Sequence, residues 1–293
     1  MSQQDQTHRF FRSHAKEWQI KAEDSAYSMI QNRHFAVFET MRNYPRGSSL
    51  LDVGCGTGQL AVEASSNGWV ATGIDFAEDM IEICRENNKR AATSAEFICG
   101  SIFDFSTTNK FDVVSAQGFI EYISLEQLDT FLAFVSAVTA QNGSVAIGSR
   151  NRLFNIHSMN HFTRLEQSLG TINSLIEESI VFQTSDSQLD VVKRIEKLAS
   201  ENIQPEKHPL TGIGVDTRYQ FTPSDLATRL KSVGFSVTAI YPVHLHPFPI
   251  NIMNSEEVLD VHNEIARFAS EEMISEHRLV PYSSSYVIEA VKR

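Results

Sequence analysis

Leu50-Leu51-Asp52-Val53-Gly54-Cys55-Gly56-Thr57-Gly58-Gln59-Leu60 decides how the chain is read: an apolar run, a turn with a glycine at every second position, then the start of a helix. Alternate glycines let the backbone take left-handed dihedrals and let a ligand come close to the main chain. A dinucleotide-binding turn would place its third glycine at position 59, where Gln59 stands, so the spacing is G-x-G-x-G and a pyrophosphate is disfavoured. Asp75 closes Ala71-Thr72-Gly73-Ile74-Asp75, 17 residues beyond Gly58. A carboxylate at that strand end can accept the protons of both ribose hydroxyls, and a surface acid at a helix start is the plainer alternative.

Working outward, short β-rich runs at Leu50–Val53, Trp69–Ile74, Glu96–Cys99, Phe111–Ala116 and Val145–Gly148 alternate with helical patterns at Gln59–Ser66, Ala77–Asn88 and Leu125–Thr139. That alternation predicts a parallel sheet with crossover helices. Residues 151–221 then read as an insertion with helix-like stretches and no convincing strand. Thr222-Pro223-Ser224-Asp225 restarts the pattern with a capping hydroxyl, a proline at the first helical position and an acid three residues after the cap. Phe235–Tyr241 and Tyr286–Val291 read as the last two strands, with a helix near Glu256–Ser270 between them. The expected organisation is an N-terminal helical extension over 1–47, one sheet domain over 48–150 and 222–293, and an inserted helical lid over 151–221.

The 293 residues carry 25 Lys plus Arg against 36 Asp plus Glu, a net charge of −11. Such a chain is repelled by phosphate backbones and anionic membranes, so nucleic acid is a poor partner and a small-molecule substrate a better one. Three cysteines, Cys55, Cys84 and Cys99, form no C-x-x-C pair, which fits a reducing cytoplasm. No apolar run reaches the roughly 18 residues of a membrane span. Oligomeric state is not legible.

From these residues the chain resembles the class I S-adenosylmethionine-dependent methyltransferases, in the group of the ubiquinone-pathway O-methyltransferases and natural-product methyltransferases. The resemblance covers residues 48 to about 148 well and the last two strands loosely. It implies an α/β, Rossmann-like, seven-stranded, mostly parallel sheet with the last strand antiparallel. It also implies S-adenosylmethionine as cofactor, with Asp52, Gly54, Cys55, Gly56 and Gly58 cradling its methionine part. Asp75 would hold the ribose, Phe76 and Met80 would border the adenine, and Ser101 with Ile102 would stand where the family usually has an acid. Gln117, in Ser115-Ala116-Gln117-Gly118-Phe119-Ile120-Glu121-Tyr122-Ile123, would contact the cofactor near its sulfonium, while Tyr122 replaces the histidine of an often-seen Glu-His pair.

Methyl transfer to a hydroxyl needs a base, whereas a neutral amine attacks first and sheds its proton later. His244 and His246, two apart on an extended segment after the sixth strand, are the expected bases. His157 and His161 would share a helical face if 155–163 is helical, and with Arg152, Arg218 and Tyr122 they form the expected substrate-binding set. Arg150, Arg164 and Tyr219 add polar groups suited to an anionic or hydroxyl-rich molecule. No metal is expected, because no Asp or Glu stands at an accompanying ligand spacing. The expected reaction is methylation of a hydroxyl on a small or medium-sized metabolite. Methylation of an amine and a non-catalytic, cofactor-binding regulator are the alternatives.

Overall fold

The computed structural model describes residues 3–23, 29–198, 204–205, 215, 218–248 and 256–293. Seven strands, β1 (Ser49–Val53), β2 (Val70–Asp75), β3 (Glu96–Cys99), β4 (Phe111–Ala116), β5 (Thr139–Arg150), β6 (Phe235–Leu245) and β7 (Ser283–Lys292), form one sheet in the order β3-β2-β1-β4-β5-β7-β6. The first five run parallel, and β7 lies antiparallel between β5 and β6. This is the expected mixed sheet. Its strand order reverses between β1 and β4, the point where open α/β sheets bind ligands beyond the carboxyl ends of the strands.

Successive strand residues point to opposite faces, and the core divides accordingly. Leu51, Val53, Val114, Val145 and Ile147 face one cluster, completed by Phe131 and Leu132 of α5 (Leu125–Val138) and by Leu226 and Leu230 of α10 (Pro223–Ser232). Leu50, Val113, Ala146 and Val287 face the other. There they meet Val37 of α2 (Met29–Met41), Leu60 of α3 (Gln59–Ser66) and Ile81 of α4 (Glu78–Arg90). A strand buried on both sides explains why β1 carries apolar residues facing both ways, at Leu50 and at Leu51 and Val53. The helix starts follow local chemistry: Ser124 and Gln127 form a reciprocal cap on α5, and the Thr222 hydroxyl accepts from the Asp225 amide at 3.2 Å on α10.

The N-terminal extension is two helices, α1 (Gln3–Glu23) packed on α4 and α2 packed across the sheet. The inserted stretch holds α6 (Asn155–Ser158), α7 (His161–Leu169), α8 (Ile172–Thr184) and α9 (Gln188–Ile195), and a bridge between Asn151 and Phe221 closes its neck. The expected lid is corrected for α8 and α9. Leu175, Val181, Phe182, Val191, Val192 and Ile195 are buried in the same core as the sheet, so these helices flank it instead of covering its mouth. Gln188 donates to the Ile240 carbonyl at 2.9 Å and accepts from the Ile240 amide at 3.1 Å, a side chain occupying the hydrogen-bonding edge of β6.

Candidate active site

Gly54, Gly56 and Gly58 all take positive φ, at 68°, 54° and 82°. At Gly58 space matters as well as φ, because a Cβ there would stand 2.9 Å from both Cys84 Sγ and a ring carbon of Phe97. At Gly56 nothing lies within 4 Å, so that position is open for a ligand to approach. Cys55 is buried, and its thiol, hydrogen-bonded to Cys84 and desolvated, is pushed well up, so it stays protonated and fills the turn.

Beyond the carboxyl ends of β1, β2 and β4 lies a cavity of about 380 Å³. Asp52, Gly54, Cys55, Gly56, Asp75 and Phe76 line it, and so do Met80, Ser101, Ile102 and Gln117. Gly58 shapes the turn behind that wall. Asp75 accepts the Gly56 amide at 3.0 Å and the Ala77 amide at 2.9 Å, which locks its carboxylate at the end of β2. Burial pushes its carboxyl up to about 6 against those amides, and burial with the neighbouring Asp75 charge pushes Asp52 up to about 7. Neither acid forms an ion pair among the described residues. Two desolvated carboxylates beside a turn left open at Gly56 suit a ligand that carries positive charge and hydroxyls, so the residues present fit the implied cofactor. Gln117 Nε2 donates to the Ala146 carbonyl at 2.9 Å, and its Oε1 is buried without a partner.

The other end of the cavity is cationic. Arg33 of α2, Arg150 at the end of β5 and Arg218 converge on Glu121, which is 1% exposed. Burial alone would raise the Glu121 carboxyl, but Arg218, Arg33 and Arg150 together hold it below its ordinary value. Arg218 donates to Glu121 Oε1 from Nε at 3.2 Å and Nη2 at 3.0 Å, and its guanidinium lies 5.4 Å from the ring centre of Tyr122. Among the described residues the Arg33 side chain donates only to Ser285 Oγ, at 3.4 Å, and its Nε is buried without a partner. Arg150 has no side-chain hydrogen bond among the described residues; burial and the other arginines lower its guanidinium to about 10, so it stays cationic at neutral pH.

Several expected residues stand elsewhere. Tyr122 and Arg218 line the cavity, but Arg152 does not: its guanidinium is buried in a bidentate pair with Glu166, at 2.9 and 2.7 Å, inside the insertion. His157 and His161 do not share a helix, because Met159 takes a left-handed φ of 50° that separates α6 from α7. His157 packs on Tyr282 and His161 on Phe162. His244 and His246 are also absent from the cavity wall; they cluster with His262 of α11 (Glu256–Glu272) behind the arginines. The imidazoles that do line the cavity are His8 of α1, its ring 5.0 Å from that of Phe76, and His34 of α2. Burial and then Arg33 push His34 down to about 4. Sequence reading passed over Arg33 and His34 because only the docking of α2 brings them to the site. Their adjacency as a basic pair on a helix was the sole local signal.

Residues 50–143 match a family model described as a methyltransferase domain. The ubiquinone biosynthesis O-methyltransferase of Vibrio atlanticus (strain LGP32) is 30% identical over 110 residues, which is 37% of this chain and 46% of that protein. The protein of the same name from Coxiella burnetii (strain Dugway 5J108-111) is 24% identical, again over 37% and 46%. The chain thus spans just under half the length of these curated relatives. Among solved structures, the magnesium protoporphyrin IX methyltransferase of Synechocystis PCC 6803 with bound SAH superposes with a TM-score of 0.58 at 12% identity, covering 100% of both chains. The N-methyltransferase NodS of Bradyrhizobium japonicum WM9 in complex with S-adenosyl-L-homocysteine gives 0.55 at 12% identity, covering 98% of both. At such identities the likeness is one of fold. Residues 50–143 thus form a methyltransferase domain, set in a chain whose whole sheet has the fold of the S-adenosylmethionine-dependent methyltransferases.

Proposed function

We propose that the protein transfers a methyl group from S-adenosylmethionine to a hydroxyl of a small, anionic metabolite. Asp52 and the Gly54–Gly58 turn would hold the amino-acid part of the cofactor, Asp75 the ribose, and Phe76, Met80, Ser101 and Ile102 the adenine, with Gln117 beside the sulfonium. When bound, the cofactor supplies an electrophilic methyl open to in-line attack. The chain's own residues orient the acceptor, exclude water and favour its ionised form.

One observation carries the acceptor class: three guanidinium groups face a single carboxylate at the far end of the cavity, leaving an excess of positive charge in a desolvated site. Arg33 and Arg150, which form no ion pair with a carboxylate among the described residues, would take an anionic group of the acceptor, such as a carboxylate. The same charge opposes a protonated amine and favours the ionised form of a hydroxyl, which supports oxygen over nitrogen as the methylated atom. His34, neutral at pH 7 and in the cavity wall, can hydrogen-bond the acceptor hydroxyl, but burial beside Arg33 makes it a weak base, so the proton leaves chiefly because the arginines favour the ionised hydroxyl. The free cysteines Cys55, Cys84 and Cys99 support a reducing, cytoplasmic setting, and no helix among the described residues is long and apolar enough to cross a membrane.

Screening metabolite fractions for S-adenosylhomocysteine release and a mass gain of one methylene identifies the acceptor. Arg33→Met and Arg150→Met should each raise KM for it roughly tenfold or more, the loss of one charge-assisted contact, while cofactor affinity holds. An acceptor without negative charge, or KM values untouched by both substitutions, rejects the anionic reading. Cofactor binding without turnover in any fraction would favour a regulatory binder.

A further inference from the structure

Behind the arginine end of the cavity, the structure gathers three histidines from two elements. His244 and His246 lie at the end of β6, and His262 comes from α11, which packs on that strand. Their ring centres are 4.8, 5.2 and 4.8 Å apart, and one ring nitrogen of each lies within 4.8 Å of the others. His246 Nδ1 and both ring nitrogens of His262 are buried with no hydrogen-bond partner, while His244 Nδ1 meets Ser284 Oγ at 3.1 Å. Buried polar nitrogens are rarely left unpaired, and three in one cluster call for a ligand.

Backbone geometry points the same way. His244 takes a φ of 60°, a left-handed conformation that a non-glycine residue adopts at a cost, and strand pairing at Val243 and Leu245 holds it on both sides. A neutral imidazole coordinates through the nitrogen that bears no proton, and the unpartnered nitrogens of His246 and His262 are available for this. Arg33 and Arg150 stand near His244, so a cation there is held by nitrogen donation against their charge and not by it. The cluster therefore selects by ligand softness: imidazole nitrogens suit zinc and its neighbours and do not suit magnesium or calcium.

We propose that His244, His246 and His262 bind one divalent transition-metal ion, zinc foremost, leaving its fourth coordination position open. A tetrahedral centre with metal–nitrogen bonds of about 2.0–2.1 Å holds its ligands about 3.4 Å apart, so loading draws the rings inward by about an ångström. The site is independent of the methyl-transfer reading.

Chelator-treated full-length protein titrated with Zn2+, and with Co2+ as a visible probe, provides the test. The expected result is one zinc per chain and four-coordinate Co2+ bands that zinc displaces. His246→Asn and His262→Asn should each weaken binding at least by the roughly 10–100-fold that even loss of a supporting partner costs a metal site. His157→Asn should have no effect. X-ray absorption on zinc-loaded wild type should show three imidazole nitrogens, and this readout stands even if a variant fails to fold. Failure to bind zinc, a first shell without imidazoles, or binding by both variants as tight as wild type overturns the proposal. S-adenosylhomocysteine affinity measured on the same samples reports separately on the methyltransferase reading.

Discussion

Asp52 and Asp75 show how burial sets the chemistry of single side chains. Their carboxyls are lifted to about 7 and about 6 because the fold desolvates them and gives them no cation. A bound sulfonium favours the ionised form of both, so cofactor binding near pH 6 should release protons, and affinity should rise with pH up to about 7 and then level off. Calorimetry in two buffers of different ionisation enthalpy measures this, and identical heats would refute it. The sign for folding is opposite: between about pH 4 and 7 the native state holds protons that the unfolded chain has lost, so stability from Asp52 declines as pH rises through that window. Asp52→Asn should therefore stabilise the free protein at pH 8 by about 2 kcal/mol in urea unfolding while weakening the cofactor. Asp75→Ala removes the proposed ribose contact and should cost about 1.5–3 kcal/mol of cofactor affinity by the same calorimetry.

At the level of elements, the β1–α3 turn works through backbone shape. Gly58→Ala would combine a strained φ with contacts to Cys84 and Phe97, and should destabilise by about 2–4 kcal/mol. Gly56→Ala meets no atom and should cost about 1 kcal/mol of stability while obstructing the ligand; urea midpoints and cofactor affinity separate the two. The insertion uses buried charge as structure. Glu166 accepts from Arg152, from Asn155 Nδ2 at 2.8 Å and from the Thr171 hydroxyl at 2.6 Å, so Arg152→Met strands a carboxylate that is 2% exposed. Breaking such a pair costs about 3–5 kcal/mol. A fall in the unfolding midpoint with KM unchanged is expected, whereas a raised KM in a stable variant would restore Arg152 to the substrate-binding set.

Across the whole molecule, burial of neutral histidines makes the fold sensitive to acid. His34 is pushed down to about 4, His246 to about 3, and His244, His262 and His157 also lie below the ordinary value of 6.5. Below pH 6.5 the unfolded chain binds protons that these native sites refuse, so each subtracts stability as pH falls towards its folded value. Raised carboxyls at Asp52, Asp75 and Glu178 work in the other direction. Replacing His246 and His262 together by Gln should flatten the loss of metal-free stability between pH 6.5 and 4. An unchanged slope of midpoint against pH would show that the histidines are not its source.

How far the molecule was legible depended on how local each signal was. Leu50–Leu60, the Asp75 strand end and the Thr222 cap are written in neighbouring residues, because turn geometry, strand alternation and capping act over a few positions; hence the seven-strand sheet and the glycine-loop wall could be read directly. The basic end of the cavity joins Arg33 from an N-terminal helix, Arg150 from a strand end and Arg218 from the far side of the insertion, and nothing in the spacing of those residues encodes their meeting. Equally, His244 and His246 were visible as a pair, while the arrival of His262 and the removal of Arg152 into a core ion pair followed from which apolar faces had to be buried together. Side-chain chemistry was set by residue order, but its partners, its charge state and its access to the cavity were set by packing, which alone determines what water can reach.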